Sequence, residues 1–123
     1  MTDELTVIPY VPYEKMPYAY LASDLLVQPS LAEGLSRSIL EAMACGLPIA
    51  ATDVGGNPEL VSERNGVLFK PKSSHEIAKA IVDLLSDEEK LARMGCESRK
   101  VVVSEFSVEK RVESFIKLYK RMC

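Results

Sequence analysis

At 123 residues the chain is expected to form a single domain, and its hydrophobic content of 47% is ordinary for a globular protein. A net charge of −3 gives no support to nucleic-acid binding, and the apolar runs fall far short of a membrane span. Cys45, Cys96 and Cys123 are odd in number and widely spaced, which argues against a disulfide framework or zinc site and for reduced cytoplasmic thiols. The opening Met-Thr-Asp-Glu lacks the basic and apolar regions of a signal peptide.

In chain order, Thr6–Val11 reads as a short strand that Pro9 confines to an edge or end position. Residues from Pro12 to Ala22 read as a short helix, with Pro17 near its first turn or breaking it. Leu25–Gln28 reads as a buried strand, closed by Pro29 and Ser30. A loop follows, in which Gly34 is taken as a position of special backbone dihedrals. The next helix is predicted over Ser36–Cys45. Ser36 is its N-cap, Gly46 its C′ residue, and Pro48 stops continuation. Pro48–Thr52 is a second buried strand. Both strands are continuous apolar runs, as parallel strands covered on both faces require.

Gly55-Gly56 makes a turn, Asn57 caps a short helix, and Pro58 takes its first position. Asn65-Gly66 turns into a strand over Val67–Phe69, ended by Pro71. The remainder, from about residue 74 to 123, is a helical tail within the same domain. Ser73 with Glu76 and Ser86 with Glu89 form capping boxes, and Gly95 closes the second of these helices. Ser107 caps the last one, whose Val108, Val112, Phe115, Ile116 and Tyr119 share one apolar face.

Chemistry concentrates in the middle of the chain. Glu41 sits among Ile39, Leu40, Ala42, Met43 and Ala44, and Glu33 precedes it with seven residues between them. A buried carboxylate is costly unless a partner or ligand satisfies its oxygens. The order strand, loop, helix, strand puts loop amides and a helix N-terminus at the strand's C-terminal end, where an anion is held. A phosphate with sugars on both sides matches one donor nest and two acceptors. Each feature has a plainer reading. Glu41 could pair with Arg37 on the surface, and Glu33 could be solvated loop. Gly55-Gly56 is as well explained by a tight turn as by ligand contact. His75 reads as an exposed first-turn residue, and Cys45 as a small core residue.

These residues carry a family resemblance. The run DLLVQPSLAEGLSRSILEAMACGLPIAATDVGGNPELV, from Asp24 to Val61, resembles the donor-binding half of retaining GT-B glycosyltransferases of the family 4, or glycosyl transferases group 1, type. The later NGVLFKP, the helix Ser74–Leu85 and EFSVEKRVESFIKLYKRM are similar to the same family's C-terminal end. The resemblance implies an α/β, Rossmann-like three-layer parallel sheet, a partial GT-B C-terminal domain spanning residues 1–123. It implies that Glu33 is the catalytic-centre residue and contacts the donor hexose hydroxyls. Backbone amides around Gly34, Leu35 and Ser36 would hold the sugar and diphosphate, and Glu41 would accept hydrogen bonds from the ribose. Arg37 is the in-chain candidate for a diphosphate counter-charge. Many members have Phe-Gly where this chain has Leu35-Ser36.

No cofactor or metal is expected, because there is no Asp-x-Asp motif and the family uses amides and basic side chains on the diphosphate. The partners expected are a nucleoside-diphosphate sugar and an acceptor-binding domain, on the missing N-terminal part of the protein or on a separate chain. The activity implied is retaining transfer of a hexose to a glycan, lipid or small molecule, with the 123 residues inactive alone. The alternatives are a non-catalytic nucleotide-sugar-binding module and a structural remnant that only oligomerises. The family's sheet has strands between the equivalents of Thr6–Val11 and Leu25–Gln28. Leu25–Gln28 is therefore expected to present an open edge. That edge leads to homodimerisation or strand exchange, unless Thr6–Val11 moves in beside it.

Overall fold

The computed structural model describes residues 5–105. A 3-10 turn at Tyr13–Lys15 leads directly into α1 (Met16–Leu21), with Pro17 tolerated in its first turn. Then follow β1 (Leu26–Gln28), α2 (Arg37–Ala44), β2 (Ile49–Thr52), α3 (Asn57–Leu60), β3 (Gly66–Phe69), α4 (Ser74–Leu85) and α5 (Glu88–Glu105). The three strands form one parallel sheet in the order β1-β2-β3.

The register sorts the apolar residues between two faces. Leu26 pairs with Ile49, and Gln28 with Ala51 and then Leu68, on the face covered by α2. Val27, Ala50 and Val67 form the row on the opposite face, against Ala80 and Leu84 of α4. Every residue of β2 is buried, as a central parallel strand with helices on both sides requires. This is a Rossmann-like α/β arrangement in three layers. The helix α5 serves both faces. Leu91 and Met94 join the α4 side, and Val101 and Val102 join the α2 side.

Capping explains most boundaries. Ser36 Oγ accepts from the Ile39 amide at 3.2 Å and starts α2. At its far end Gly46 adopts φ 78°. The Leu47 and Gly46 amides return to the Ala42 and Met43 carbonyls, closing the helix with a Schellman motif. Ser73 caps α4 through the Glu76 amide.

Several sequence expectations are corrected. Residues 6–11 form no strand. Val7, Ile8 and Tyr10 are exposed there, Pro9 and Pro12 remove backbone donors, and none of the three described strands pairs with the segment. Thr6–Val11 therefore does not move in beside β1, which remains an edge of the sheet with β2 as its only neighbour among the described residues. The cap of α5 is Asp87, whose Oδ1 accepts from Lys90 N, while Ser86 ends α4 and donates to Asp83 O. Asn57 lies inside α3 and its side chain donates to the Thr52 carbonyl, so the Gly56 backbone precedes the helix in its place. Gly95 does not close a helix, since α5 runs through it unbroken. A Cβ there would sit 2.2 Å from the Gly46 carbonyl oxygen, so this glycine lets α5 lie against the α2–β2 turn. The proposed cap Ser107, the stripe from Val108 to Tyr119 and Cys123 lie outside the described residues.

Candidate functional site

At the C-terminal end of the sheet, the loops after β1 and β2 are packed into one another. Thr52, fully buried at the end of β2, donates from Oγ1 to the Ser30 carbonyl at 2.7 Å. The Gly56 amide donates to the Gly34 carbonyl at 3.1 Å. Gly55 holds φ 52°, and a Cβ on it would meet the Glu33 carbonyl oxygen at 1.6 Å. Gly55-Gly56 thus does more than reverse the chain. Its missing side chains are the space that the Glu33–Leu35 backbone occupies. Gly34 itself has no positive φ and open space where a Cβ would point, which corrects its assignment as the special-dihedral position.

The interlock fixes Glu33. Its Oε2 accepts from Gln28 Nε2 at 2.7 Å and from Ser30 Oγ at 2.5 Å. The same Gln28 amide donates to Ser36 Oγ at 2.9 Å. Glu33 is half-buried, so the reading of a solvated loop residue is set aside. Both of these bonds fall on one carboxylate oxygen. Leu35 and Arg37 are exposed beside the start of α2, and Ser36 is buried as its cap. Helix N-termini carry partial positive charge and unsatisfied amides. The arrangement therefore presents amide donors at α2 and a braced carboxylate acceptor next to them.

Glu41 lies about one turn past the start of α2 and is 5% exposed. It faces inward, beneath α1. Its neighbours are Tyr20, which hydrogen-bonds it, and Cys45. Burial, then the Glu41 charge, pushes the Tyr20 phenol up from 10.0 to about 12, against a lowering by Ser38. Burial and the same charge push the Cys45 thiol up from 9.0 to about 12, with Arg99 acting the other way. The surface pair between Glu41 and Arg37 is not formed, since no ion pair among the described residues involves Arg37. Among the described residues no group of three His, Cys, Asp or Glu side chains is placed to hold a metal ion. None of their helices is long and apolar enough to cross a membrane.

The structure thus places Glu33, Gly34 and Leu35 in the loop that leads to the Ser36 cap and Arg37, and sets Glu41 behind them within α2. Sequence reasoning missed Gln28, Ser30 and Thr52. The available signal was a glutamine ending an otherwise apolar strand on the face that α2 covers.

Comparison with known proteins gives the same region a context. The family described as Glycosyl transferases group 1 matches residues 1–101. The spore coat protein SA of Bacillus subtilis (strain 168) is 37% identical over 122 residues, which is 97% of this chain and 32% of that protein. Sucrose-phosphate synthase (tll1590) from Thermosynechococcus elongatus superposes with a TM-score of 0.82 at 30% identity, covering 98% of this chain and 30% of that one. Anabaena Alr3699/HepE in complex with UDP-glucose gives a TM-score of 0.71 at 30% identity, covering 87% and 29%. The chain thus spans about a third of the length of these relatives.

Proposed function

Because this chain belongs to the glycosyl transferases group 1 family, we propose that it forms the nucleotide-sugar-binding part of a retaining hexosyltransferase of the family 4 type. The observation that carries this reading is the Glu33 carboxylate braced by Gln28 and Ser30 beside the N-terminus of α2. The diphosphate of the donor sits at the α2 N-terminus, on amides of the Gly34–Ser36 segment, with Arg37 as counter-charge. Glu33 accepts hydrogen bonds from the hexose hydroxyls through the oxygen that Gln28 and Ser30 do not use. Glu41 receives the ribose hydroxyls. At 5% exposure it does so only if the Tyr20 hydroxyl shares or yields the carboxylate.

No metal is needed on this reading, since electrostatic stabilisation of the leaving diphosphate comes from helix amides and basic side chains. The acceptor, a glycan, lipid or small molecule, binds to a domain outside these 123 residues. The UDP-glucose complex of the Anabaena relative supports a nucleotide sugar as ligand.

Calorimetric titration with a panel of nucleoside diphosphates and their sugars tests this. Glu41→Gln should weaken nucleotide and nucleotide sugar alike by about tenfold or more, because a bond to a charged acceptor is worth about 1.5–3 kcal/mol. Glu33→Gln should weaken only the nucleotide sugar. Equal losses for both ligands in the Glu33 variant, or no binding by any nucleotide, would overturn the assignment.

A further inference from the structure

We propose that Gln28 is a positioning residue that sets the sugar-reading carboxylate and locks it to the helix cap. This deepens the proposed function and rests on Glu33 reading the donor sugar. Gln28 is the last residue of β1 and shares its face with Leu26 and Ala51, on the side that α2 covers. Its side-chain amide has two protons, and both are used. One goes to Glu33 Oε2 at 2.7 Å and the other to Ser36 Oγ at 2.9 Å. Ser36 Oγ in turn accepts from the Ile39 amide at 3.2 Å. A single strand residue therefore joins the carboxylate to the cap of α2.

The consequence is directional. A carboxylate with three rotatable bonds could turn either oxygen anywhere on an open loop. Here Gln28 and Ser30 both hold Oε2, which leaves Oε1 as the acceptor without a hydrogen bond among the described residues. Linked hydrogen bonds in a partly desolvated site also reinforce one another. Because the same amide supports the Ser36 cap, the hexose acceptor and the anion-binding amides keep a fixed spacing. Orientation of this kind is what a site for two linked groups requires.

The test uses the 123-residue chain with UDP and UDP-glucose as probes. Gln28→Met keeps the length and removes both donors. It should lower UDP-glucose affinity by about fivefold or more while UDP stays within about twofold, so the ratio of the two affinities is the readout. Gln28→Glu sets a second carboxylate against Glu33 and should lower the ratio further. Combining Gln28→Glu with Glu33→Gln restores a hydrogen bond between the two positions in reverse. It should recover the thermal stability lost in Gln28→Glu, and a pair no more stable than Gln28→Glu alone would contradict the link. The UDP-glucose to UDP ratio of Gln28→Met is the readout that a purely structural role would not move.

A ligand-free measurement keeps the arms separate. The side-chain amide resonances of Gln28, assigned by their loss in Gln28→Met, should shift clearly in Glu33→Ala. Unmoved resonances would refute the link itself, whatever binds. A shift in those resonances together with unchanged affinity ratios would overturn the positioning role and leave the proposed function standing. Absence of any binding by the unmodified chain would refute both the proposed function and the positioning role that depends on it.

Discussion

Replacing Gly55 by alanine tests how tightly the two loops are meshed. The new Cβ would lie 1.6 Å from the Glu33 carbonyl oxygen and 2.6 Å from its carbon, and both are backbone atoms that cannot rotate away. Reaching an ordinary contact of 3.4 Å requires the loop after β1 to retreat by about 1.8 Å. Two costs follow. Holding alanine at φ 52° costs about 1–2 kcal/mol. The retreat also breaks the Gly56 to Gly34 hydrogen bond and strains the Thr52 to Ser30 bond, at about 1 kcal/mol each.

A total loss of about 3–4 kcal/mol is expected, near the upper end for single substitutions. Gly34→Ala is the matched control one residue from the contact. Its Cβ points into open space, and it should change stability by less than about 1 kcal/mol. Urea unfolding monitored by circular dichroism reads both, as a shift in midpoint at unchanged slope. Gly55→Ala unfolding within about 0.5 kcal/mol of Gly34→Ala would refute the interlock. On the proposed function, the same displacement of Glu33 should abolish the preference for UDP-glucose over UDP even where the variant remains folded.

Further expectations concern the frame around the site. Gly95→Ala should destabilise the protein although alanine is the better helix former, because its Cβ would lie 2.2 Å from the Gly46 carbonyl; a raised melting temperature would contradict this packing. Asp87→Ala should cost about 1 kcal/mol in chemical unfolding and Ser86→Ala less, and the reverse order would restore Ser86 as the cap. Burial raises the Cys45 thiol from 9.0 to about 12, so the folded state holds this proton more tightly than the unfolded chain. Its contribution to stability is complete below about pH 9 and is lost as pH rises toward 12. Cys45→Ala should flatten that decline, and an unchanged slope would remove Cys45 as a cause. In the native state Cys96, which is exposed, should react with iodoacetamide while Cys45 does not, as read by mass spectrometry.

What could be read from sequence divides along physical lines. The strands β1, β2 and β3 and the helix α2 were legible because local signals agree there. Continuous apolar runs meet Ser36, Gly46 and Pro48 at the right places. Thr6–Val11 carries the same apolar signal, yet a strand exists only when a neighbour accepts its hydrogen bonds, and none does among the described residues. At Gly95 and Gly34 the local pattern suggests a turn or helix end, where the backbone in fact answers to a distant contact. The reason for Gly95 is the Gly46 carbonyl, and the special backbone expected at Gly34 belongs to Gly55. For the candidate site, Glu33 and Glu41 stand out in the motif because each carboxylate sits beside apolar or glycine neighbours. Gln28, Ser30 and Thr52 act through pairings across 3 to 24 residues, which no single window of sequence displays.

The path of α5 has a consequence for how this fold comes apart. One end of the helix covers the Val27–Ala50–Val67 face and the other covers the Leu26–Ile49 face, with Gly95 at the crossing point. Releasing it would expose both hydrophobic layers in one event, so neither face has a private unfolding route. Amide protons of α2 and α4, on opposite sides of the sheet, should then exchange with the same free energy as those of α5, as members of one cooperative unit. The outward-facing loop at Glu33, tied by side-chain bonds and a glycine fit, sits on a platform whose two sides are fastened by the same clasp.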